Sequence, residues 1–503
     1  MNLRAVGWLL GCVLLLLTGF LVVPAFVAIY YGEMASVRGC VMSAFVSALI
    51  GAALVWFNRG STVTEEGRTD YFRREGLAVV GLTWLVVAAI GALPYLFSGV
   101  MSSPIDALFE SASGFTTTGS TILLGEEIDA LPRGIMFWRC FTQWLGGIGI
   151  VMVFVVLFPT GGRSLFRSEV PGISREAGLH RVRDSALALV RVYVLLTAVQ
   201  ILLLWLAGVS WFDAITHAFT TLATGGFSNH SESVAYFGSW VVELIIVVFM
   251  FGAGLNFAIY DSVLRSGLRR GWRLAISSQE VRAYTGMVVG ATLVIAIALW
   301  FWGGSNGALG SSLPDYRSFW LSMRDSLFTV VTMQTSTGFG TADFDRWPEI
   351  CRVLLMVLAL VGACAGSTGG GIKVVRCLIV AKAALQGIRR FARPRAIHSV
   401  RIDAHTLDER IVASVTGYFG MWMLVAIGGT MCLCAFDIDL VTASTSVLAT
   451  LNNIGPGLQL VGPTQNFAGM PDLVKLLLTL FMILGRLEFY ALVVLIVPGF
   501  WRR

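Results

Sequence analysis

The sequence predicts an all-α polytopic membrane protein with ten transmembrane helices. Two stand at the N-terminus, and four helix–pore loop–helix repeats follow around one pseudo-fourfold pore. Three observations carry this prediction. The 503 residues are 56% hydrophobic and 13% charged, with a mean hydropathy of +0.78, whereas soluble domains carry about 25% charged residues. Apolar runs approach the ~20 residues that a bilayer crossing needs. A Gly/Thr cluster recurs four times between those runs. Disordered, disulfide-rich secreted and nucleic-acid-binding classes are excluded on composition. The cysteines show no C-x-x-C spacing and read as buried, inert thiols.

In chain order the expected spans lie near 7–30, 39–57, 76–98, 134–158, 185–208, 237–262, 283–303, 349–372, 410–434 and 472–499. The first is too long for a signal-peptide core and no A-x-A site follows it, so it is kept as a helix. Lys and Arg set the sidedness. Loops 58–75, 159–183, 263–282 and 373–410 hold 23 of them, while the alternate loops hold only Arg38, Arg133, Arg317, Arg324 and Arg346. The positive-inside rule puts the basic loops and both termini in the cytoplasm.

The non-basic loops are the informative part. They run Asp106…Thr117-Thr118-Gly119, Asp213…Ala223-Thr224-Gly225, Asp325…Ser336-Thr337-Gly338 and, with no Asp, Thr442…Asn453-Ile454-Gly455. Aligned on those glycines the intervals are 106, 113 and 117 residues, and Asp stands 12 or 13 positions ahead of three of them. A repeat at a near-fixed period defines the architecture. The units are 1–70 (two N-terminal helices), 71–183 (turn 116–121), 184–282 (turn 222–227), 283–408 (turn 335–340, broken helix 362–371) and 409–503 (turn 452–457).

Non-helical backbone at membrane depth is tolerated where it lines an aqueous path or is buried in protein. Four re-entrant half-helices ending in extended turns aim carbonyls, and the negative ends of their dipoles, at one axis. Such a ring of oxygens can replace a cation's hydration shell. Glycine permits the positive φ and the close approach that four converging backbones require. The chemistry indicated is passage of a monovalent cation. A membrane-embedded enzyme would need paired carboxylates, a metal cluster or a nucleophile with a base, and none converges in the sequence; a non-conducting scaffold leaves the four turns unexplained.

These turns, with Gln143-Trp144-Leu145-Gly146-Gly147-Ile148-Gly149-Ile150, Gly366-Ser367-Thr368-Gly369-Gly370-Gly371-Ile372-Lys373, Gly485-Arg486-Leu487-Glu488 and the Asn-rich Asn452-Asn453-Ile454-Gly455-Pro456-Gly457, resemble the Trk/Ktr/HKT superfamily of potassium transporters. The resemblance is strongest to the bacterial TrkH/TrkG branch and extends from about residue 70 to the end; the two leading spans also fit that branch. It implies potassium uptake across the bacterial inner membrane by a homodimer with a pore in each protomer. It also implies a cytosolic nucleotide-binding regulator of the TrkA type, which would carry NAD(H) or adenine nucleotides. This chain itself is expected to bind no cofactor, to hold K+ at the twelve turn residues named above, and to have no catalytic residues.

Two gate candidates follow. The stretch 362–371 holds five glycines in ten positions, and each interior glycine costs a helix about 1 kcal/mol against Ala. Gly366, Gly369, Gly370 and Gly371 therefore read as a loop across the path below the filter, with small-residue helix packing as the competing reading. It is no phosphate-binding loop, since Ile372 stands where Lys is needed and no strand precedes it. Arg486 lies mid-span in an apolar run, where an arginine usually faces a water-filled interior. It reads as a cationic barrier; snorkelling and a salt bridge with Glu488 compete. Asp106, Asp213 and Asp325 are expected to cap pore helices rather than attract cations. His217 and His230 flank the second turn, and proton coupling through them stays open. The residues fix no coupling mode, so channel-like flow driven by the membrane potential and symport with H+ or Na+ both stand.

Overall fold

The computed structural model describes residues 2–59, 71–149, 179–304, 316, 318–393, 399–403 and 405–501. The helices are α1 (Leu3–Tyr30), α2 (Met34–Phe57), α3 (Tyr71–Phe97), α4 (Pro104–Phe115), α5 (Gly125–Asp129), α6 (Arg133–Ile148), α7 (Leu179–Leu206), α8 (Trp211–Leu222), α9 (Trp240–Ala253) and α10 (Phe257–Ser266). There follow α11 (Leu268–Ser277), α12 (Gln279–Gly304), α13 (Phe319–Gln334), α14 (Glu349–Val361), α15 (Val374–Ala392), α16 (Glu409–Cys434), α17 (Leu440–Leu451), α18 (Asp472–Arg486) and α19 (Tyr490–Ile496). A two-residue hairpin pairs Arg401 with Thr406 and Ile402 with His405. Much of loop 58–75, most of loop 159–183 and the end of the span expected at 134–158 lie outside the described residues.

Among the described residues six helices, α1, α2, α3, α7, α12 and α16, are long and apolar enough to cross a membrane, and α9 with α10 makes a seventh if counted as one broken span. The other expected crossings fall on α6, α14 and α18, which have 16, 13 and 15 residues. At 1.5 Å per residue these rise only about 20–24 Å, short of the ~30 Å hydrocarbon core. Within the described residues two spans expected to be continuous are interrupted. The 237–262 span turns through 94° between α9 and α10, where Gly254 ends one helix and the Asn256 side chain caps the next. The 472–499 span stops at Leu487–Phe489, where Glu488 and Phe489 take φ of 53° and 67°. Helix α6 ends at Gly149 (φ 76°). The break expected near 362 is present and begins at Gly362 (φ 71°).

The N-terminal pair packs as small-residue helices do in lipid. A Cβ on Gly11 would sit 2.8 Å from the Gly51 carbonyl oxygen and one on Gly51 3.0 Å from that of Gly11, so backbones touch where side chains would hold them apart. The Ser47 hydroxyl crosses to the Leu14 carbonyl at 2.9 Å. The pair is tied to the rest by Glu33, whose carboxylate accepts from the N–H groups of Arg133 (2.6 Å) and Gly134 (2.8 Å) at the start of α6. That satisfies two orphan donors of a helix N-terminus with a favourably placed negative charge. The apolar residues gather in two cores, one around α1, α3, α4, α6 and α18, the other around α9 and α12–α14. The four short helices α4, α8, α13 and α17 contribute residues to these cores.

Candidate functional site

Those four helices have 12, 12, 16 and 12 residues, and all end in one motif. Each reaches a C-cap at Thr116, Ala223, Thr335 or Asn452. The next residue is left-handed: Thr117 (φ 56°), Thr224 (54°), Ser336 (58°) and Asn453 (52°). The N–H after that closes back five residues: Thr118 to Ser113 (2.9 Å), Gly225 to Thr220 (2.8 Å), Thr337 to Thr332 (2.8 Å) and Ile454 to Ala449 (2.9 Å). This is a Schellman termination, which ordinarily places Gly at the left-handed position. Here two threonines, a serine and an asparagine stand there, at about 1–2 kcal/mol each for a non-glycine residue. Strain repeated at four equivalent positions, each carrying a side-chain oxygen, marks a functional constraint.

One residue further on is the glycine of each turn: Gly119 (φ 83°), Gly226 (76°), Gly338 (81°) and Gly455 (103°). The second turn is thus displaced by one from the alignment made on sequence. Thr224, Gly225 and Gly226 correspond to Thr117, Thr118 and Gly119, while Ala223 is the C-cap. Gly225 lacks the positive φ that distinguishes the other three aligned glycines. In the corrected register Asp106, Asp213 and Asp325 all precede their glycine by 13 residues, a uniformity that would have identified Gly226.

The glycines interlock in a cycle. A Cβ on Gly119 would fall on the Gly225 carbonyl oxygen, one on Gly226 on that of Thr337, and one on Gly338 on that of Ile454. One on Gly455 would come within 2.9 Å of that of Thr118. Each turn therefore abuts the next, and the fourth abuts the first. A cavity of about 120 Å³ is lined by all four glycines and by residues of the loops poor in Lys and Arg.

Side chains behind the turns hold them. Gln143 donates to the Gly225 carbonyl (2.7 Å) and accepts from the Phe227 N–H (3.1 Å). Asn453 donates to the Thr118 hydroxyl and to the Met482 carbonyl, both at 2.9 Å. Arg139 pairs with Glu110 at 2.7 Å with both side chains buried; it also donates to the Ser228 carbonyl (3.0 Å) and lies over the Phe227 ring. Glu110 in turn accepts from Thr121 and from the Ile122 N–H. Neither Arg139 nor Glu110 belongs to the motifs singled out in the sequence. The glycines of the Gln143–Ile150 and Gly485–Glu488 motifs serve close approach. Cβ atoms on Gly146 and Gly485 would strike the carbonyls of Phe115 and Leu451, the last residues of α4 and α17.

The glycine-rich stretch leaves helix at Gly362 and lies directly against the third and fourth turns. The Gly370 N–H donates to Ser336 Oγ at 2.5 Å, and a Cβ there would meet the Asn452 carbonyl. Gly366 and Gly371 take φ of 70° and 73°. Anchors surround the loop. Gln334 donates to the Gly362 carbonyl (2.5 Å), Thr368 Oγ1 to that of Ala253 (3.2 Å), and Lys373 to that of Gly369. Glu280 accepts from the N–H groups of Ala365 (2.7 Å) and Val375 (3.2 Å). Arg486 completes the set, donating to the Thr368 carbonyl (3.0 Å) and the Gly146 carbonyl (2.7 Å). Its guanidinium thus bridges the loop and the C-terminal end of α6, where the dipole is negative. Glu488, considered as its partner, is bonded by Arg376.

The capping role expected for the three aspartates is not what the structure holds. Ser103 and Ser210 are the caps, accepting from the N–H groups of Asp106 and Asp213, and Asp325 lies inside α13. Asp106 instead accepts from Lys475 (2.6 Å) and Asp325 from the Tyr316 hydroxyl (3.0 Å). Asp213 accepts from Asn229 (2.9 Å) and lies 3.4 Å from His230. His217 is buried, its ring nitrogens 2.9 Å from the Asp213 carbonyl and 3.1 Å from Ser228 Oγ. Among the described residues no group of three or more His, Cys, Asp or Glu is placed to hold a metal.

Residues 40–502 match the TrkH family model, described as a cation transport protein. The chain is 39% identical over 508 residues to the Trk system potassium uptake protein TrkH of Salmonella typhimurium, covering all of both. It is 31% identical over 507 residues to the Trk system potassium uptake protein TrkG of Escherichia coli, covering all of this chain and 99% of that one. The crystal structure of the potassium transporter TrkH from Vibrio parahaemolyticus superposes over the whole of both chains with a TM-score of 0.87 at 34% identity. The likeness includes the two N-terminal helices. With four interlocked turns backed by these motifs, the chain belongs to the TrkH family of cation transport proteins.

Proposed function

We propose that this protein takes up potassium across the bacterial inner membrane, with its basic loops and both termini in the cytoplasm. The cyclic contact of the four turns carries the reading. K+ sheds water in the cavity above Gly119, Gly226, Gly338 and Gly455 and passes between carbonyls of 117–119, 224–226, 336–338 and 453–455. The ten-crossing, four-repeat arrangement supplies the axis. The turns differ in sequence, so the filter holds fewer well-formed sites than one built from four identical chains. Below it, Gly366 and Gly369–Gly371 close the path, and the Arg486 charge raises the barrier until the loop moves aside. A membrane potential supplies about 2.3 kcal/mol per 100 mV for each monovalent cation, enough to accumulate K+ without a second ion. Symport is the second reading; the Asp213–His217–His230 cluster beside the second turn favours it over other couplings. The protein works as a homodimer, with a TrkA-like cytosolic subunit that binds NAD(H) or adenine nucleotides. That subunit or anionic lipid meets the basic segment 373–410. The relatives named above are transporters, and the chain is read as carrying no enzymatic activity. Replacing Gly119, Gly226, Gly338 or Gly455 by Ser tests the filter in proteoliposomes: K+ over Na+ preference should fall in each. Unchanged preference in all four removes the assignment.

A further inference from the structure

Helix α11 takes no part in the pore. Its sequence, Leu-Arg-Arg-Gly-Trp-Arg-Leu-Ala-Ile-Ser, puts Leu268, Trp272 and Ile276 on one stripe and Arg269, Arg270 and Arg273 on the arc adjoining it. The apolar stripe of a helix ordinarily faces a core. Here Leu268 is 75%, Trp272 66% and Ile276 52% exposed. What seats α11 on the protein is Gly271, where a Cβ would strike Val263 of α10.

Connectivity fixes the depth of the helix. A single residue, Ser278, joins α11 to α12, one of the six helices able to cross a membrane. On the other side α10 runs at 94° to α9, and Gly267 (φ 85°) folds α11 back upon it. The pair therefore lies across the end of the bundle, level with the start of a span. Among the described residues no ion pair engages Arg269, Arg270 or Arg273.

We propose that α11 is a membrane-surface helix that binds anionic phospholipid of the inner leaflet. Trp272, flanked by Leu268 and Ile276, enters the boundary between acyl chains and headgroups, where indole rings concentrate. The three arginines extend to the lipid phosphates. An apolar stripe and a basic face together are the two signals that stable attachment to an anionic surface requires. A bare apolar patch would suit many partners; three unpaired cations beside it select a negative one. The proposal rests on the sidedness reading, not on the pore assignment.

The test uses the purified full chain in detergent and reads thermal unfolding, so it is independent of transport. Dioleoylphosphatidylglycerol should raise the unfolding temperature more than dioleoylphosphatidylcholine. The triple variant Arg269→Gln, Arg270→Gln, Arg273→Gln should lose most of that difference, since three cations near an anionic surface contribute roughly a hundredfold in affinity. Its unfolding temperature without lipid should match the wild type. Trp272→Ala should weaken the response to both lipids and leave the oligomeric mass by light scattering unchanged. Equal responses to the two lipids in the wild type, or an undiminished difference in the triple variant, overturn the proposal. So does a change of mass in Trp272→Ala, which would make a second copy the occupant, or a loss of lipid-free stability in the triple variant, which would make it protein.

Discussion

The register of the second turn is open to direct perturbation, because two adjacent glycines predict different outcomes. Alanine at Gly226 adopts φ near 76°, a left-handed conformation that costs an L-residue about 1–2 kcal/mol. Its Cβ also lands on the Thr337 carbonyl oxygen and within 3.2 Å of Gly338, both backbone atoms of the third turn. Relief demands that a carbonyl of the proposed filter move by on the order of 1 Å, so that its oxygens no longer fit one ion. Alanine at Gly225 meets first the amide end of the Gln143 side chain. Swinging that amide aside gives up its two bonds, about 1–3 kcal/mol of stability if the groups stay unpaired, but moves no backbone of another turn. Competition of K+ and Na+ against rubidium-86 influx in proteoliposomes separates the two. Gly226→Ala should cut K+ preference at least about tenfold, equivalent to ~1.4 kcal/mol, while Gly225→Ala should retain most preference with lower thermal stability. Selectivity lost at Gly225 and kept at Gly226 would refute the register and the cyclic contact with it.

Three further outcomes follow from the same geometry. Arg486→Ala removes a positive charge from the proposed path; for a separation of ~5 Å and an effective dielectric of ~20 that charge opposes a cation by about 3 kcal/mol, so basal rubidium flux should rise by one to two orders of magnitude, and flux at or below wild type contradicts an electrostatic barrier. Removing one residue from Gly369–Gly371 should raise leak without changing K+ over Na+ preference; a changed preference with no leak would make the loop part of the filter. Arg139→Ala leaves Glu110 as a buried, uncompensated charge and should cost about 3–5 kcal/mol. Adding Glu110→Gln should restore thermal stability toward wild type, and a double variant no more stable than the single one denies that the ion pair is the cause.

Much of the architecture was legible because hydropathy reports burial in lipid directly. The six helices able to cross the membrane begin and end within a few residues of the expected spans at 7–30, 39–57, 76–98, 185–208, 283–303 and 410–434. The interruptions were harder to read. Gly252, Gly254 and Asn256 break the 237–262 span, but averaging over a window hides small residues among Phe251, Leu255 and Phe257. The break at Leu487–Phe489 has no Gly or Pro at all, only Glu488 inside an apolar run. The glycine loop at 362–371 was visible because three consecutive glycines outweigh any neighbour. The recurring turns were found through Gly and Thr, yet the Gly225–Gly226 pair admits two alignments and composition prefers neither. Gln143 was seen as part of a motif and not as the clamp on Gly225, since its partner lies 82 residues away. The aspartates were misread as caps because their position near a helix start fits capping, while Lys475 and Tyr316, which bind two of them, come from distant segments.

The central claim, that a cation moves through this ring down its own electrochemical gradient, is tested most directly by rubidium-86 influx into proteoliposomes holding this chain alone. The potential is clamped while proton and sodium gradients are imposed or abolished independently. The account predicts influx that follows the electrical and potassium gradients and ignores the other two. Uphill accumulation driven by a proton or sodium gradient would contradict channel-like flow and turn attention to Asp213, His217 and His230; absence of influx under every condition would contradict a self-contained pore.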